Sequence, residues 1–549
     1  MNKLKVLDLF SGAGGLSLGF EQTGQFEIIA AVELNHSAAD TYDKNHTVKT
    51  SRKDIRKVNF TELTKQHKID VIIGGPPCQG FSNANRQKSE LFSNNNLLVK
   101  QYVRAVEEVK PKAFVMENVK TINSDTHKFF VTENDQEEID SLELQSSHHT
   151  DVILDNAGEY NSVILSLFES NQIDTSLIKD ETALAKFNSL IRYYKRHKSL
   201  STFIKKNLTF FKRLDSMWDK NFNTFESESL QKLLTDFHLI IKDIISINNT
   251  HAELLFEKTK ELLAINNVTS SLIEINAKKI VIEDIENSPK GIKFSLLTYT
   301  VIDYLRKKFH SLGYDITNSN GVLNAANFGV PQSRNRYFII GIQAEKATFP
   351  KPIVDEGEFT IKDAIEDLQD IPYSYNVTDK PIAKERTALM NPLTSYLNDS
   401  QDTICNHVIT ETKSTALARF KQLKPGQNFH DLEDTYKTTY TDTSRTQNTI
   451  YKRLRYEDVS KTIVNVRKSM WIHPKIDRAI SIREAARLQS FPDSYVFMGN
   501  KDEQYQQVGN AVPPLLARAV AESLLKDLSK TPNESLKELL KIKEEKTPV

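Results

Sequence analysis

Cys78 stands in the stretch Gly74-Gly75-Pro76-Pro77-Cys78-Gln79-Gly80-Phe81-Ser82, directly after the apolar run Ile69 to Ile73. Two prolines fix two φ angles and remove two amide donors, so the thiol follows a stiff turn where a strand ends. A lone cysteine usually packs as a small hydrophobe, but a filler has no need of Gly-Gly-Pro-Pro before it. At the carboxyl end of an α/β strand, where ligand crevices form, a thiolate is a nucleophile. Glu117 follows a second apolar run, Ala113 to Met116, so its carboxyl is expected to share that crevice as an acid. Gln332-Ser333-Arg334-Asn335-Arg336 puts two guanidiniums on one face of an extended segment, each able to grip an oxygen bidentately. Each could hold a phosphate or a base oxygen, against the plainer reading of a solvated strand entry.

A further group binds rather than reacts. Ser11-Gly12-Ala13-Gly14-Gly15 lies between a strand and a helix and aims backbone amides at an anionic ligand. Glu33 ends the next strand, where a ribose hydroxyl is held in dinucleotide folds. The third glycine comes too early for Gly-x-Gly-x-x-Gly, so a ligand bearing a carboxylate fits as well as a pyrophosphate. Asp54 is a candidate for an adenine amino group, against the plainer reading of a solvated loop acid.

The elements that must position these groups alternate. Strands are predicted over Lys5 to Phe10, Phe26 to Glu33, Ile69 to Ile73 and Ala113 to Met116, with helices through Phe20 and over Leu97 to Val109. This alternation predicts a parallel, doubly wound α/β sheet. Between Pro111 and Pro289 there is no proline and one glycine, Gly158, and Leu230 to Ile245 follows helical spacing, so a helical bundle is expected there. A strand returns over Tyr337 to Ile342. Residues 345–465, rich in Pro, Thr, Asp and Tyr, read as an irregular second domain, and the charged tail after Lys526 as a frayed helix.

Six ordered motifs make the chain resemble the DNA (cytosine-5)-methyltransferase family. They are Phe10 to Gly15, Gly74 to Ser82, Glu117-Asn118-Val119, Gln332 to Arg336, Arg483 to Pro492 and Gln507 to Pro513. The resemblance implies an S-adenosylmethionine-dependent, Rossmann-like catalytic domain whose sheet is completed around Asn510. It implies first and second catalytic parts at 1–121 and 293–345, with an inserted helical region at 122–292. A target-recognition domain follows at 346–470, a return to the catalytic domain at 471–525 and a charged tail at 526–549. Cofactor contacts carried over are Phe10, Gly12, Gly14, Glu33, Asp54, Ile55, Pro76, Leu98 and Asn510. Catalytic residues are Cys78, Glu117, Arg334 and Arg336, and substrate contacts are Gln79, Ser82, Asn118 and Gln332. Where many relatives carry tryptophan after the ribose acid, this chain has Leu34.

The implied reaction follows from the base. Carbon 5 of cytosine is too electron-poor to take a methyl group unaided, and addition of Cys78 to carbon 6 makes it an enamine-like nucleophile. Glu117 would protonate or hydrogen-bond ring nitrogen 3, and Arg334 would face oxygen 2. The base must leave the duplex stack, at a cost of a few kcal/mol, with 82–96 as a closing loop. Arg453, Arg455, Lys461, Arg467 and Lys468 are expected at phosphates, and His407 in packing rather than as a metal ligand. The basic, aromatic stretch Arg192 to Lys198, with Lys205-Lys206 and Lys212-Arg213, is expected to touch flanking DNA, against the plainer reading of a solvated bundle face. Methylation of tRNA, a non-catalytic DNA-binding role, and an insertion that acts as a nuclease or partner-docking module are the rival readings, the last without a clear paired-acid and lysine signature.

Bulk properties bound the rest. At 549 residues two or three domains are expected. Lys+Arg and Asp+Glu are 72 each, which leaves room for a local basic cleft but gives no global nucleic-acid footprint. Two cysteines, Cys78 and Cys405, are too few for a disulfide framework and suit a reducing cytosol. No long apolar run predicts a membrane span or leader. The expectation is a cytoplasmic monomer acting on double-stranded DNA, paired with a cognate restriction endonuclease and needing no metal.

Overall fold

The computed structural model describes residues 2–77, 95–125, 127–144, 148–246, 252–378, 380–384, 391–399, 401–439, 443, 446–462 and 469–542. Two compact units result: one holds the described residues up to Pro77, Asn95–His127 and those from Leu305 onward, the other Lys128–Tyr304.

The first unit is built on a seven-stranded sheet. Its strands are β1 (Leu4–Leu9), β2 (Phe26–Val32), β3 (Thr50–Ser51), β4 (Val71–Gly74) and β5 (Ala113–Val119). Later strands β10 (Asn320–Asn324) and β12 (Asn335–Ile342) complete it in the order β10-β12-β5-β4-β1-β2-β3. Val71 to Gly74 is buried throughout, because a central parallel strand is covered on both faces and so reads as a continuous apolar run. Helices α1 (Gly15–Glu21), α2 (His36–Asn45), α3 (Phe60–Gln66) and α4 (Asn95–Val109) join these strands. The side chain of Asn35 caps α2 by accepting from the Ala38 amide at 3.0 Å.

Two expectations about this sheet are corrected. It is not wholly parallel, since β12 runs antiparallel to both β5 and β10. Nor does the stretch around Asn510 add a strand. Lys501–Asn510 is a helix started by a capping box between Asn500 and Glu503, and Pro514–Asp527 is another that packs on α1.

The second unit holds four strands as well as helices. They are β6 (Lys128–Phe130), β7 (His148–Ile153), β8 (Ile282–Ser288) and β9 (Gly291–Thr300), with β9 pairing antiparallel to the other three. Its helices are α5 (Gln136–Ser141), α6 (Tyr160–Glu169), α7 (Glu181–His197), α8 (Ser201–Lys206), α9 (Leu208–Ser216), α10 (Trp218–Asn221), α11 (Glu228–Ser246) and α12 (Ala252–Lys278). The expected all-helical insertion over 122–292 therefore becomes a mixed unit that extends to Tyr304. Ile292, Phe294, Leu296 and Thr298 alternate into its core with period two, the signature of a half-buried strand.

Residues 346–470 do not separate as a compact unit. Phe359, Ile361, Ala364, Leu393, Val408 and Leu454 join the core of the catalytic sheet. A small core of its own forms only around Phe420, Leu423, Phe429 and Tyr451. The tail is not frayed as far as 542: Leu536 and Leu540 are buried in the main core, and the Asn533 amide donates to the Thr23 carbonyl at 2.9 Å.

Candidate active site

Strands β4 and β5 lie side by side in parallel, with Gly74 opposite Met116, so both deliver their carboxyl ends to one edge. Beyond β4 run Gly75, Pro76 and Pro77; Cys78, Gln79 and Ser82 lie outside the described residues. The turn is pinned from β5, where Asn118 Nδ2 donates to the Pro76 carbonyl at 2.9 Å. Asn118 is 5% exposed, and its amide positions the turn. Gly75 lies close to the carboxyl, since a Cβ there would sit 2.8 Å from Glu117 Oε2 and displace that side chain.

Glu117 is held by a guanidinium from the neighbouring strand. Antiparallel pairing sets Arg336 opposite Val119 and Phe338 opposite Glu117, which makes Arg336 and Glu117 diagonal neighbours on one face. Arg336 Nε meets Glu117 Oε1 at 2.9 Å. Burial pushes the Glu117 carboxyl above its ordinary range, and Arg336 and then Arg334 pull it partly back. Burial also pushes the Arg336 guanidinium down, which Glu117 opposes.

Arg334 does something different from what its place in the motif suggests. It is fully buried, and its Nη2 donates to the carbonyls of Gly509 at 2.7 Å and Ala511 at 2.9 Å. Its amide donates to Asn324 Oδ1 at 3.0 Å. Arg334 thus ties the strand entry to the end of the helix Lys501–Asn510, and the cation touching Glu117 is Arg336. Gln332 is fully buried on the short strand β11 (Gln332–Ser333), with neither amide atom hydrogen-bonded among the described residues.

The glycine loop closes the other side of β1. Phe10, Gly12 and Gly14 all take positive φ, at 56°, 54° and 87°. For phenylalanine that conformation is strained, and such strain concentrates at ligand sites. The Gly12 amide donates to Glu33 Oε2 at 2.8 Å and the Asn35 amide to Oε1 at 2.7 Å, so both carboxylate oxygens are oriented. Burial raises the Glu33 carboxyl, and these amides pull it back. Beside it Leu34 is 58% exposed, an uncovered apolar side chain next to an oriented acid. Ser11 Oγ is buried without a partner, and a Cβ on Gly12 would meet nothing within 4 Å. An oriented carboxylate, a bare apolar face and an open loop fit a nucleoside with a polar tail.

The remaining expected contacts are placed less directly. Asp54 Oδ2 accepts from Arg56 Nη2 at 2.5 Å, which draws the carboxyl down to about 2. Ile55 is buried, Leu98 half-buried on α4, and Asn510 exposed, accepting from Gln506 Nε2 at 2.8 Å. Pro76 is buried with its carbonyl held by Asn118. Among the expected phosphate contacts, Arg453 is buried and bonded to Asp477 and to the Phe420 carbonyl, so it is structural. Arg455 is exposed beside Asp458 and Lys461 is exposed, whereas Arg467 and Lys468 lie outside the described residues. His407 is buried, with Nδ1 2.9 Å from Ser481 Oγ.

Sequence reasoning missed the support beneath the glycine loop. Tyr495, far along the chain, donates to the Ala13 carbonyl and meets His46 Nε2 at 3.0 Å. A Cβ on Gly14 would lie 2.4 Å from both His46 Nε2 and the Tyr495 hydroxyl. Asp8, on β1, accepts from Ser17 Oγ at 2.6 Å, and burial pushes its carboxyl up to about 8. Nothing local in the sequence marks such a long-range buried network.

Comparisons with known proteins agree with this architecture. A profile of the C-5 cytosine-specific DNA methylase family matches residues 4–154 and 271–526. The chain is 25% identical over 556 residues to the Type II methyltransferase M.XorII of Xanthomonas oryzae pv. oryzae, covering 96% of this chain and 85% of that protein. It is 26% identical over 534 residues to the Type II methyltransferase M1.HphI of Haemophilus parahaemolyticus, covering 95% and 87%. A crystal structure titled as a candidate DNA modification methyltransferase encoded within a prophage, from E. coli, superposes with a TM-score of 0.52 at 20% identity. It covers 96% of this chain and all of that one, a likeness of fold.

Proposed function

The chain belongs to the C-5 cytosine-specific DNA methylase family, and from that premise we propose that it methylates carbon 5 of a cytosine flipped out of duplex DNA, with Cys78 as nucleophile and S-adenosylmethionine as donor. The fold is the Rossmann-like α/β fold of S-adenosylmethionine-dependent methyltransferases, and the enzyme class is DNA (cytosine-5)-methyltransferase. The observation that carries the mechanism is the buried Glu117 carboxyl, held at 2.9 Å by Arg336 where β5 ends beside β4.

S-adenosylmethionine, when bound, supplies an electrophilic methyl group; Phe10, Gly12 and Glu33, with the exposed Leu34, are the residues that would hold it. Cys78 forms a bond to carbon 6, and the displaced electron pair makes carbon 5 nucleophilic while charge spreads to nitrogen 3 and oxygen 2. Glu117 carries a proton to nitrogen 3, a task favoured by burial that holds its carboxyl above the ordinary range. Arg336 keeps that carboxyl aimed and adds positive charge beside the ring. Once carbon 5 bears the methyl group, the proton on nitrogen 3 returns to Glu117 and a water molecule takes the carbon 5 proton, and the electron pair left behind expels the Cys78 thiolate and restores aromaticity. The relatives named Type II methyltransferases extend the proposal to protection of host DNA against a cognate restriction endonuclease.

The test is incubation with S-adenosylmethionine and mixed-sequence duplex DNA or tRNA, with 5-methylcytosine mapped by bisulfite sequencing. Methylation at one short duplex motif is expected, with Cys78→Ser inactive yet still binding the cofactor. Full activity of Cys78→Ser, or transfer to tRNA alone, overturns the reading.

A further inference from the structure

The second unit is acidic overall, yet its cations are concentrated in one place. Residues 128–304 hold 20 Lys and Arg against 27 Asp and Glu. Nine of those 20 cations fall between Ala183 and Leu214, a stretch with no acidic residue. The stretch covers most of α7, all of α8 and most of α9.

Packing draws the three helices together. Tyr193 of α7 lies 5.4 Å from Phe203 of α8, and Phe187 of α7 lies 6.1 Å from Phe210 of α9. Lys186 donates to Asn207 Oδ1 at 2.9 Å, and Arg213 lies 4.0 Å from Asp180. The other seven, Arg192, Lys195, Arg196, Lys198, Lys205, Lys206 and Lys212, are exposed and have neither an ion pair nor a side-chain hydrogen bond among the described residues. Arg192, Lys195 and Arg196 share one face of α7, where residues three and four apart are about 5–6 Å apart.

Helix-end electrostatics explain part of this. Lys195 and Arg196 sit in the last turn of α7 and Lys205 and Lys206 in that of α8, where a cation contributes about 0.3–1 kcal/mol. That effect does not account for the missing acids. Elsewhere in the same unit five lysines are neutralised by nearby acids, among them Lys278 by Glu274 at 2.5 Å and Lys258 by Glu261 at 2.7 Å. Seven uncompensated charges within a few helical turns repel one another, which a polyanion relieves.

The aromatic residues of the stretch decide which polyanion. Tyr194 stacks on Phe256 at 4.0 Å and Tyr193 on Phe203, so the tyrosines are anchored inward. No exposed large apolar side chain lies between 183 and 214 among the described residues. Unpaired bases require aromatic platforms, which are missing here, whereas a phosphate backbone requires only cations.

We propose that the exposed faces of α7, α8 and α9 form a second DNA-contacting surface that grips the phosphate backbone of duplex DNA without reading bases. The assignment rests on the reading that the substrate is duplex DNA.

The test uses the full-length enzyme and a variant with all seven cations replaced by glutamine. Binding of a labelled mixed-sequence duplex is measured over a series of salt concentrations, alongside methyl transfer. Each lost phosphate contact flattens the log–log salt slope by roughly 0.9. The expected result is a slope flatter by several units and duplex affinity at low salt down roughly tenfold or more, with kcat at saturating DNA unchanged. A control with Lys258, Lys260 and Lys279 replaced by glutamine should keep the wild-type slope. If circular dichroism shows the sevenfold variant unfolded, Lys195→Gln with Lys205→Gln and Lys206→Gln serves instead, with a proportionately smaller flattening. An unchanged slope, equal flattening in the control, or tighter binding of single-stranded RNA than of duplex each overturns the proposal. Those results leave the methylation reading intact, which fails separately if the wild-type enzyme methylates no duplex.

Discussion

In the proposed mechanism Glu117 passes a proton to the base, and its surroundings act on its carboxyl in opposite directions. Burial raises its pKa while Arg336 and Arg334 lower it, and burial wins. The protonated form is present below the raised pKa and lost above it, so kcat/KM should fall as pH rises through that value. Glu117→Gln should lower kcat by about two to four orders of magnitude and abolish that limb. Arg336→Met removes the larger opposing charge, so the limb should move to higher pH; a limb that stays put, followed in steady-state pH profiles, contradicts the pairing. Arg334→Met instead leaves the carbonyls of Gly509 and Ala511 short of a buried donor, about 1–3 kcal/mol each, and should show as lost thermal stability. The motif Gln332 to Arg336 made both guanidiniums visible in the sequence. Which one meets Glu117 was not legible, because it depends on the register of β12 against β5 and on carbonyls 175 residues further on.

At the scale of elements, the strands that build the site were readable because central strands are apolar without interruption, as in Val71 to Gly74. The sheet of the second unit was hidden for the opposite reason. β8, Ile282–Ser288, is acidic and largely exposed, and β7 begins with two histidines, so neither resembles a buried strand. Only β9 carries clear alternation, and it lies beside a long helical pattern that dominated the reading. The C-terminal stretch was misread because charge on one side of a short helix hides the apolar pair Leu536 and Leu540 on the other. Replacing both leucines by alanine should lower stability by about 2–5 kcal/mol for each site, measured by thermal unfolding. A loss of only a few tenths would return the segment to the status of a loose tail.

At the scale of the whole molecule, the two largest cores among the described residues share no residue, one around the catalytic sheet and one within 128–304. Two unfolding transitions are therefore expected in calorimetry. Leu272→Ala, fully buried in α12, should move only one of them. A single transition that shifts as one would mean that the units unfold cooperatively.

The catalytic unit is closed by segments from far along the sequence. The glycine loop rests on Tyr495, Arg334 is anchored by Gly509 and Ala511, and α1 is covered by Pro514–Asp527. A chain still growing on the ribosome consequently holds an incomplete pocket until residues 495–527 have been translated and folded back.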